Sequence, residues 1–340
     1  MNCGLVVGID GLSLNEASRQ TLQHPAVVGV ILFSRNYQAP AQLRQLCEQI
    51  RGLKDPRLLI CVDQEGGRVQ RLKEGFTALP ALGVLGRWYG SHPERALDLA
   101  YRHGRVMAAE VLGHGIDLSL APVLDLDRSS AVIGDRAFSA DPQVVTRLAG
   151  HYLAGMRDAG MKSCGKHFPG HGSVAADSHT DQVLDPRSRE AIDEDLQPFR
   201  SLAAQLHAVM PAHVCFPDVD ERPAGFSDYW IGRVLRIELG FKGIVISDDL
   251  DMAGAAAAGD TRSRWQACEA AACDLALVCE PRSAAALLAA TPDSIGDFAE
   301  ARAAAGALLG RAAFTLDEQQ QVPEFRAWKK SLRQIAEDHQ

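Results

Sequence analysis

The chain has 340 residues, 46% of them hydrophobic and 23% charged, with a formal net charge of −8. That length and balance suit one large α/β barrel or two ordinary domains with ample core. The acidic charge argues against a general nucleic-acid binder, and no apolar run approaches the about 20 residues needed to cross a bilayer.

The first residues, Met-Asn-Cys-Gly-Leu-Val-Val-Gly-Ile-Asp, lack the basic region and cleavage site of a signal peptide and read as a first β-strand. Apolar, strand-like runs follow at Val27–Ser34, Leu58–Asp63, Ile116–Asp125 (interrupted by Pro122), Lys162–His167, His207–His213, Gly243–Asp248 and Asp274–Cys279. With Leu5–Asp10 they make eight. Between them lie helix-like patterns at Pro40–Leu53, Pro93–Leu112, Pro142–Ala159, Ser188–Gln205, Tyr229–Leu239 and Arg262–Ala272. Pro93 and Pro142 suit a first helical turn, with a neighbouring Ser or Asp to cap it. Near-continuous apolar strands alternating with helices imply a covered parallel sheet, and eight units predict a single (β/α)8 TIM-type barrel. A doubly wound open sheet is the alternative.

Each run closes on a polar or turn residue, among them Asp10, Asp63, Asp125, Lys166-His167, His213 and Asp248. In a barrel these ends converge on one face, so one site assembled from most of the chain is expected. Residues 1–340 are accordingly expected to form one catalytic domain. Within it, 281–340 supply C-terminal helices at Ser283–Ala290 and Ile295–Phe314 and a tail whose Phe325, Trp328 and Leu332 dock on the barrel. The eight cysteines include no C-x-x-C pair. With no export signal they read as reduced, structural thiols, and the location expected is cytoplasmic.

The stretch from Lys166 to Asp181 carries three histidines, a lysine and two aspartates. Pro169, Gly170 and Gly172 break regular structure there and place these groups on a loop. Asp63 to Arg71 adds two glycines and the forked donors Arg68 and Arg71. A third polar loop, Asp125 to Phe138, contains Arg136. Met210-Pro-Ala-His213 and Ser247-Asp-Asp-Leu-Asp-Met252 complete the set.

In order and spacing, Val62-Asp-Gln-Glu-Gly-Gly-Arg-Val-Gln-Arg71, Gly165-Lys-His-Phe-Pro-Gly-His-Gly172, Ala176-Asp-Ser-His179, Met210-Pro-Ala-His213 and Ser247-Asp-Asp-Leu250 resemble the family 3 glycoside hydrolases. The resemblance runs from about Leu5 to about Glu280. It is nearest to the single-domain bacterial β-N-acetylhexosaminidases of peptidoglycan recycling, since the long second domain of many members is missing. It implies a retaining exo-acting β-N-acetylglucosaminidase whose substrates are GlcNAc-1,6-anhydro-N-acetylmuramic acid and its peptide-bearing forms.

By resemblance Asp248 is the nucleophile. Asp249 is its rival, but alternation along a strand sends one of the two away. The acid/base is His179, oriented by Asp177. A histidine, with its usual pKa of about 6.5, can serve as acid and then base near neutrality. Asp63, Arg71, Arg136, Lys166 and His167 are the implied sugar contacts, with a surface ion pair as the plainer reading of Arg136. His171 and His213 are expected to support neighbours, and Asp127, Asp135, Asp181 and Asp251 have no assigned role. His24, His92, His103, His114 and His151 read as surface or packing residues.

No cofactor or metal is expected, and the partners are sugar substrates only, with no nucleic acid and no membrane; the chain is expected to be a monomer. A zinc hydrolase using His167, His171, His179, His213 and Asp248 lacks the early His-x-His after the first strand. A phosphorylase remains open, since a neutral histidine does not repel phosphate, and a non-catalytic sugar-binding barrel is the third rival.

Overall fold

The computed structural model describes residues 3–128, 130–174, 183–292 and 296–339. Eight parallel strands form its centre: β1 (Gly4–Gly8), β2 (Val27–Leu32), β3 (Leu59–Val62), β4 (Leu118–Ser119), β5 (Cys164–Phe168), β6 (Ala208–Pro211), β7 (Ile244–Asp249) and β8 (Leu275–Val278). Their order in the sheet is β4-β3-β2-β1-β8-β7-β6-β5. The two ends of that order meet across the segment after β4. Val123 bridges Lys166 in parallel; Cys164 N donates to Ala121 O at 2.8 Å and Leu124 N to Lys166 O at 2.6 Å. The ring is therefore a (β/α)8 barrel.

The expected fourth strand, 116–125, shrinks to Leu118–Ser119 in regular pairing. Pro122 explains the thin ladder, because it has no N–H to donate. The remaining strands are buried, apart from the two ends of β7, as an all-parallel sheet with helices outside demands.

Six connecting helices lie where periodicity places them, at Pro40–Arg51, Pro93–Gly113, Pro142–Ala159, Arg189–Leu202, Tyr229–Glu238 and Thr261–Ala270. Asp141 caps Pro142–Ala159 by accepting from Gln143 N, and Ser188 caps Arg189–Leu202 by accepting from Ala191 N. Two details depart from expectation. Ser91 does not cap the helix at Pro93, where His92 holds the cap position without a side-chain bond. Tyr229–Glu238 is wound as a π-helix. Two eight-residue helices, Glu16–Gln23 and Leu82–Tyr89, escape the sequence reading, because two turns hold too few periods to stand out.

Past β8 the Ala-rich pattern resolves into Pro281–Ala289 and Ala299–Ala307, the second far shorter than the expected 295–314. Thr315 and Glu318 then form a capping box on Leu316–Gln321, and Pro323–Glu337 follows. On that last helix Phe325 and Leu332 are buried, and Trp328 meets Tyr101 edge-on at 6.1 Å. Lys329 Nζ lies 2.6 Å from buried Glu110 of Pro93–Gly113. All eight cysteines are buried free thiols. No helix among the described residues is long and apolar enough to cross a membrane.

Leu332→Ala empties a fully buried site on the tail helix, and the expected loss of stability is about 2–5 kcal/mol. Urea titration followed by both fluorescence and circular dichroism checks it. One shared transition is expected if tail and barrel unfold together, and two separate transitions would show that the tail folds apart.

Candidate active site

The C-terminal ends of the strands surround a pocket of about 330 Å³. Asp63, Arg71, Arg136, Lys166, His167 and Asp248 all line it, although they are spread over 186 positions of sequence. Asp177 and His179, the expected acid/base pair, and Asp181 lie outside the described residues. Not every strand end contributes: Asp10 sits away from this pocket, mostly exposed and 3.7 Å from Arg35.

A chain of alternating charges forms the pocket's base. Asp63, just past β3, accepts from Lys166 Nζ at 2.7 Å, and the same ammonium lies 2.6 Å from Glu65 Oε1. Glu65 in turn takes a two-pronged bond from Arg136, Nε to Oε2 at 2.8 Å and Nη2 to Oε1 at 2.9 Å. Arg71 Nη2 stands 3.9 Å from the other oxygen of Asp63. Burial works against the charges of Glu65, Lys166 and Arg136. For Glu65 the neighbouring Lys166 and Arg136 outweigh it and hold the carboxyl well below the usual range. For Lys166, Asp63 and Glu65 likewise outweigh burial and keep the ammonium charged far above its ordinary value.

Arg136 is thus no surface ion pair, since its side chain is only 12% exposed. Glu65 is the residue the sequence reading passed over. It lies two places after Asp63 between a glutamine and a glycine, and only the fold shows that both its oxygens are taken by cations.

The turn that carries Glu65 depends on glycine. Gly66 has φ +105°, and a Cβ there would lie 2.7 Å from Pro80 O. The two glycines are therefore required by the sharp turn and by packing against 79–81. The hairpin formed by Gln64–Gly66 and Val69–Gln70 results.

Lys166 and His167 adjoin on β5 across a cis peptide bond, and both side chains face the pocket. Asp125 is the second omission. It is fully buried; its Oδ2 lies 2.7 Å from His167 Nδ1, and its Oδ1 accepts the backbone N–H of His171 at 2.7 Å. The carboxylate calls for a proton on His167 Nδ1 and so sets the orientation of the ring at the pocket. Its place at the end of a predicted strand was a usable signal.

Alternation leads one to expect one of Asp248 and Asp249 to face away, yet both line the pocket, and what separates them is their hydrogen bonding. Asp248, on β7, lines the pocket and its Oδ1 accepts the Asp249 N–H at 2.8 Å. Burial alone would raise its pKa, but His167, His213 and Lys166, together with that N–H, hold it below the ordinary carboxylate value. Asp249 borders the same pocket but directs Oδ1 to the N–H groups of Cys279 (3.0 Å) and Asp251 (3.1 Å). There burial wins, aided by the charges of Asp251 and Asp248, and its carboxyl is pushed up to about 6.

His213 has the supporting role expected of it. Its Nε2–H points at the Asp248 carbonyl oxygen at 3.1 Å, and its ring stacks on Phe226 with centroids 4.8 Å apart. Among the residues left unassigned, Asp135 pairs with Arg68 at 3.6 Å and Asp251 accepts Glu280 N at 2.8 Å. His103 and His114 are packing residues, both buried.

A parallel barrel with ionised carboxylates, an ammonium, guanidinium groups and an oriented imidazole at the carboxyl ends of its strands defines an enzyme that handles a small polar, hydroxyl-rich substrate. Residues 5–304 match the glycosyl hydrolase family 3 N terminal domain. A protein named beta-hexosaminidase from Alkalilimnicola ehrlichii is 49% identical over 337 residues, which cover 97% of this chain and 95% of the relative. Among solved structures, NagZ from Neisseria gonorrhoeae in complex with N-trifluoroacetyl-D-glucosamine is 41% identical, with a TM-score of 0.91 and 99% of each chain covered. The same gonococcal protein in complex with zinc ion gives 40% identity, a TM-score of 0.89 and 99% coverage of each chain. The chain belongs to glycosyl hydrolase family 3, as a glycoside hydrolase of the β-hexosaminidase type.

Two substitutions separate the charge chain from its surroundings. Glu65→Gln leaves Arg136 and Lys166 facing a neutral amide in a buried place, and an expected about 3–5 kcal/mol of stability is lost, measured by denaturant unfolding at pH 7. Asp249→Asn has the opposite tendency. An acid whose folded pKa is about 6 binds its proton more tightly folded than unfolded, so wild-type stability falls as pH rises from about 4 to about 6. The variant should lack that fall, so its stability relative to wild type should rise across the same window. Parallel curves for the two proteins between pH 4 and 7 would refute the assignment.

Proposed function

We propose that this chain is a retaining exo-β-N-acetylglucosaminidase that removes terminal β-1,4-linked GlcNAc from peptidoglycan fragments. GlcNAc-1,6-anhydro-N-acetylmuramic acid and its peptide-bearing forms are the substrates. The observation that carries this reading is Asp248, a carboxylate held ionised at the end of a rigid strand and open to the pocket. The gonococcal relative was solved with a GlcNAc derivative bound, which supports a 2-acetamido sugar as the ligand.

In the first step an Asp248 oxygen attacks the anomeric carbon while the glycosidic C–O bond breaks. Protonated His179 donates its proton to the departing oxygen, with Asp177 holding the opposite ring nitrogen. In the second step neutral His179 takes a proton from water, whose oxygen displaces Asp248 from the anomeric carbon. Free β-GlcNAc leaves and both residues return to their starting states. Asp63, Arg71, Arg136, Lys166 and His167 hold the sugar hydroxyls. Carboxylates suit this as acceptors, and the ammonium and guanidinium groups as donors.

The barrel and its C-terminal helices act in this reading as one catalytic unit, a cytoplasmic monomer that needs no metal or cofactor. Because a related structure carries zinc, turnover in chelator is part of the test.

Proton NMR of the first product from an aryl β-GlcNAc, in buffer with chelator and phosphate, decides the reaction. Free β-GlcNAc seen before mutarotation is expected. GlcNAc-1-phosphate would assign a phosphorylase using the same residues, and loss of turnover only in chelator would assign metal dependence. Asp248→Asn should lower kcat by about 10³-fold or more. A variant with near wild-type kcat would remove Asp248 from the mechanism.

A further inference from the structure

A set of buried polar side chains ties the C-terminal helix Pro323–Glu337 to the hairpin after β3 and has no part in the steps above. Helix and hairpin face each other across a groove of about 620 Å³, lined by Arg68, Lys73 and His339 among others. Their hydrogen-bonded connection runs through Glu110. This residue, on Pro93–Gly113, is only 3% exposed. Its Oε1 lies 2.6 Å from Lys329 Nζ of the C-terminal helix. The same carboxylate accepts Thr77 N at Oε2 (2.9 Å) and Thr77 Oγ1 at Oε1 (2.8 Å).

Thr77 passes the constraint on. Its carbonyl accepts Gln70 Nε2 at 2.9 Å, and that amide also donates to Leu72 O at 3.0 Å. Gln70 Oε1 accepts Leu79 N at 3.1 Å. Gln64, paired with Gln70 across the hairpin, exchanges two bonds with Leu72: Nε2 donates to O at 2.9 Å, and Oε1 accepts from N at 3.0 Å. Thr77, Gln64 and Gln70 are all buried. Gln64 stands between Asp63 and Glu65 in sequence, and Gln70 next to Arg71. The two glutamines therefore anchor to 72–79 the same stretch of chain that carries sugar contacts. A buried polar network with its members bonded is rigid, and one lost partner leaves a desolvated group behind.

We propose that Lys329 and Glu110 are positioning residues for sugar binding, acting through Thr77, Gln70 and Gln64 to fix Asp63 and Arg71 at the pocket. The inference rests on the glycosidase reading, in which Asp63 and Arg71 hold sugar hydroxyls. Without the ammonium, the Glu110 carboxylate is buried with only neutral donors, and it takes up a proton or turns to solvent. Either response weakens its hold on Thr77, and segment 72–79 loosens against the hairpin. His167 and Asp248 are carried by β5 and β7, so the reacting centre keeps its geometry. The family match ends at residue 304, and Lys329 gives the tail beyond it a part in the site.

The test separates KM from kcat on an aryl β-GlcNAc. Lys329→Met should raise KM about 5-fold or more and leave kcat within about 2-fold, the pattern of binding lost equally from ground and transition states. Lys329→Arg should keep the wild-type KM. Thr77→Val, which removes one of the two bonds to Glu110, should raise KM in the same sense. Leu332→Ala loosens the same helix without touching the network, and below its unfolding transition its KM should stay within about 2-fold of wild type. Unchanged KM in both Lys329→Met and Thr77→Val, or an equal rise in Leu332→Ala, would overturn the positioning role and leave the glycosidase reading intact. An NMR titration with GlcNAc gives a readout independent of turnover. Wild type should bind it, and Lys329→Met should bind it about 5-fold more weakly. That pattern without hydrolysis would uphold the positioning role and retire the glycosidase reading alone; no GlcNAc binding by wild type would overturn both.

Discussion

Lys166 is only 3% exposed and lies between two carboxylates, 2.7 Å from Asp63 and 2.6 Å from Glu65. Taking such an ammonium out of water costs several kcal/mol unless opposite charges and good geometry compensate. Here compensation runs outward from the lysine in alternation, through Glu65 to Arg136 and through Asp63 towards Arg71. The positions involved come from the end of β3, the hairpin after it, the turn at Gly134–Arg136 and β5. Because β5 is also where the ring closes against 121–124, one set of ion pairs secures the seam of the barrel and shapes the floor of the pocket.

The same pocket contains two sequence neighbours, Asp248 and Asp249, with opposed electrostatics. Both are aspartates on one strand, yet their carboxyls are shifted in opposite directions. Asp248 faces His167, His213 and Lys166, which together with the Asp249 N–H offset burial. Asp249 faces two backbone N–H groups and two further carboxylates, and burial prevails. Proximity in sequence therefore gives these groups different chemistry, because their carboxyls have different partners. Asp125 and His213 extend the pattern, since each acts through a neighbour: one sets the ring orientation of His167, the other anchors the backbone at Asp248.

Much of this was legible beforehand. Eight apolar runs, each ending in a polar residue, were enough to place the strands, because a sheet covered on both faces leaves an unbroken apolar signature. Asp63, Lys166, His167 and Asp248 stood out as titratable groups at those ends. Glu65 did not, and Asp125 was placed at a strand end without a role, although each is a carboxylate in a segment already under scrutiny. Their importance lies in partners 71 and 42 positions away, and no local pattern encodes a pairing at that range. The short helices Glu16–Gln23 and Leu82–Tyr89 were missed for the opposite reason, having too few turns to declare a period.

The groove shared by Arg68, Lys73 and His339 marks the boundary between the two kinds of information. The sequence by itself determined the periodicities, and through them the alternation of strand and helix, the barrel, and the loops on which polar groups ride. Those properties follow from residues within a few positions of one another. Only the tertiary structure decided which charges neutralise which, which of two adjacent aspartates is held ionised and which is pushed up by burial, and that the C-terminal helix borders a second cavity beside the first. Such outcomes depend on distances between segments far apart in the chain, and those distances are set by closing the barrel and packing its helices.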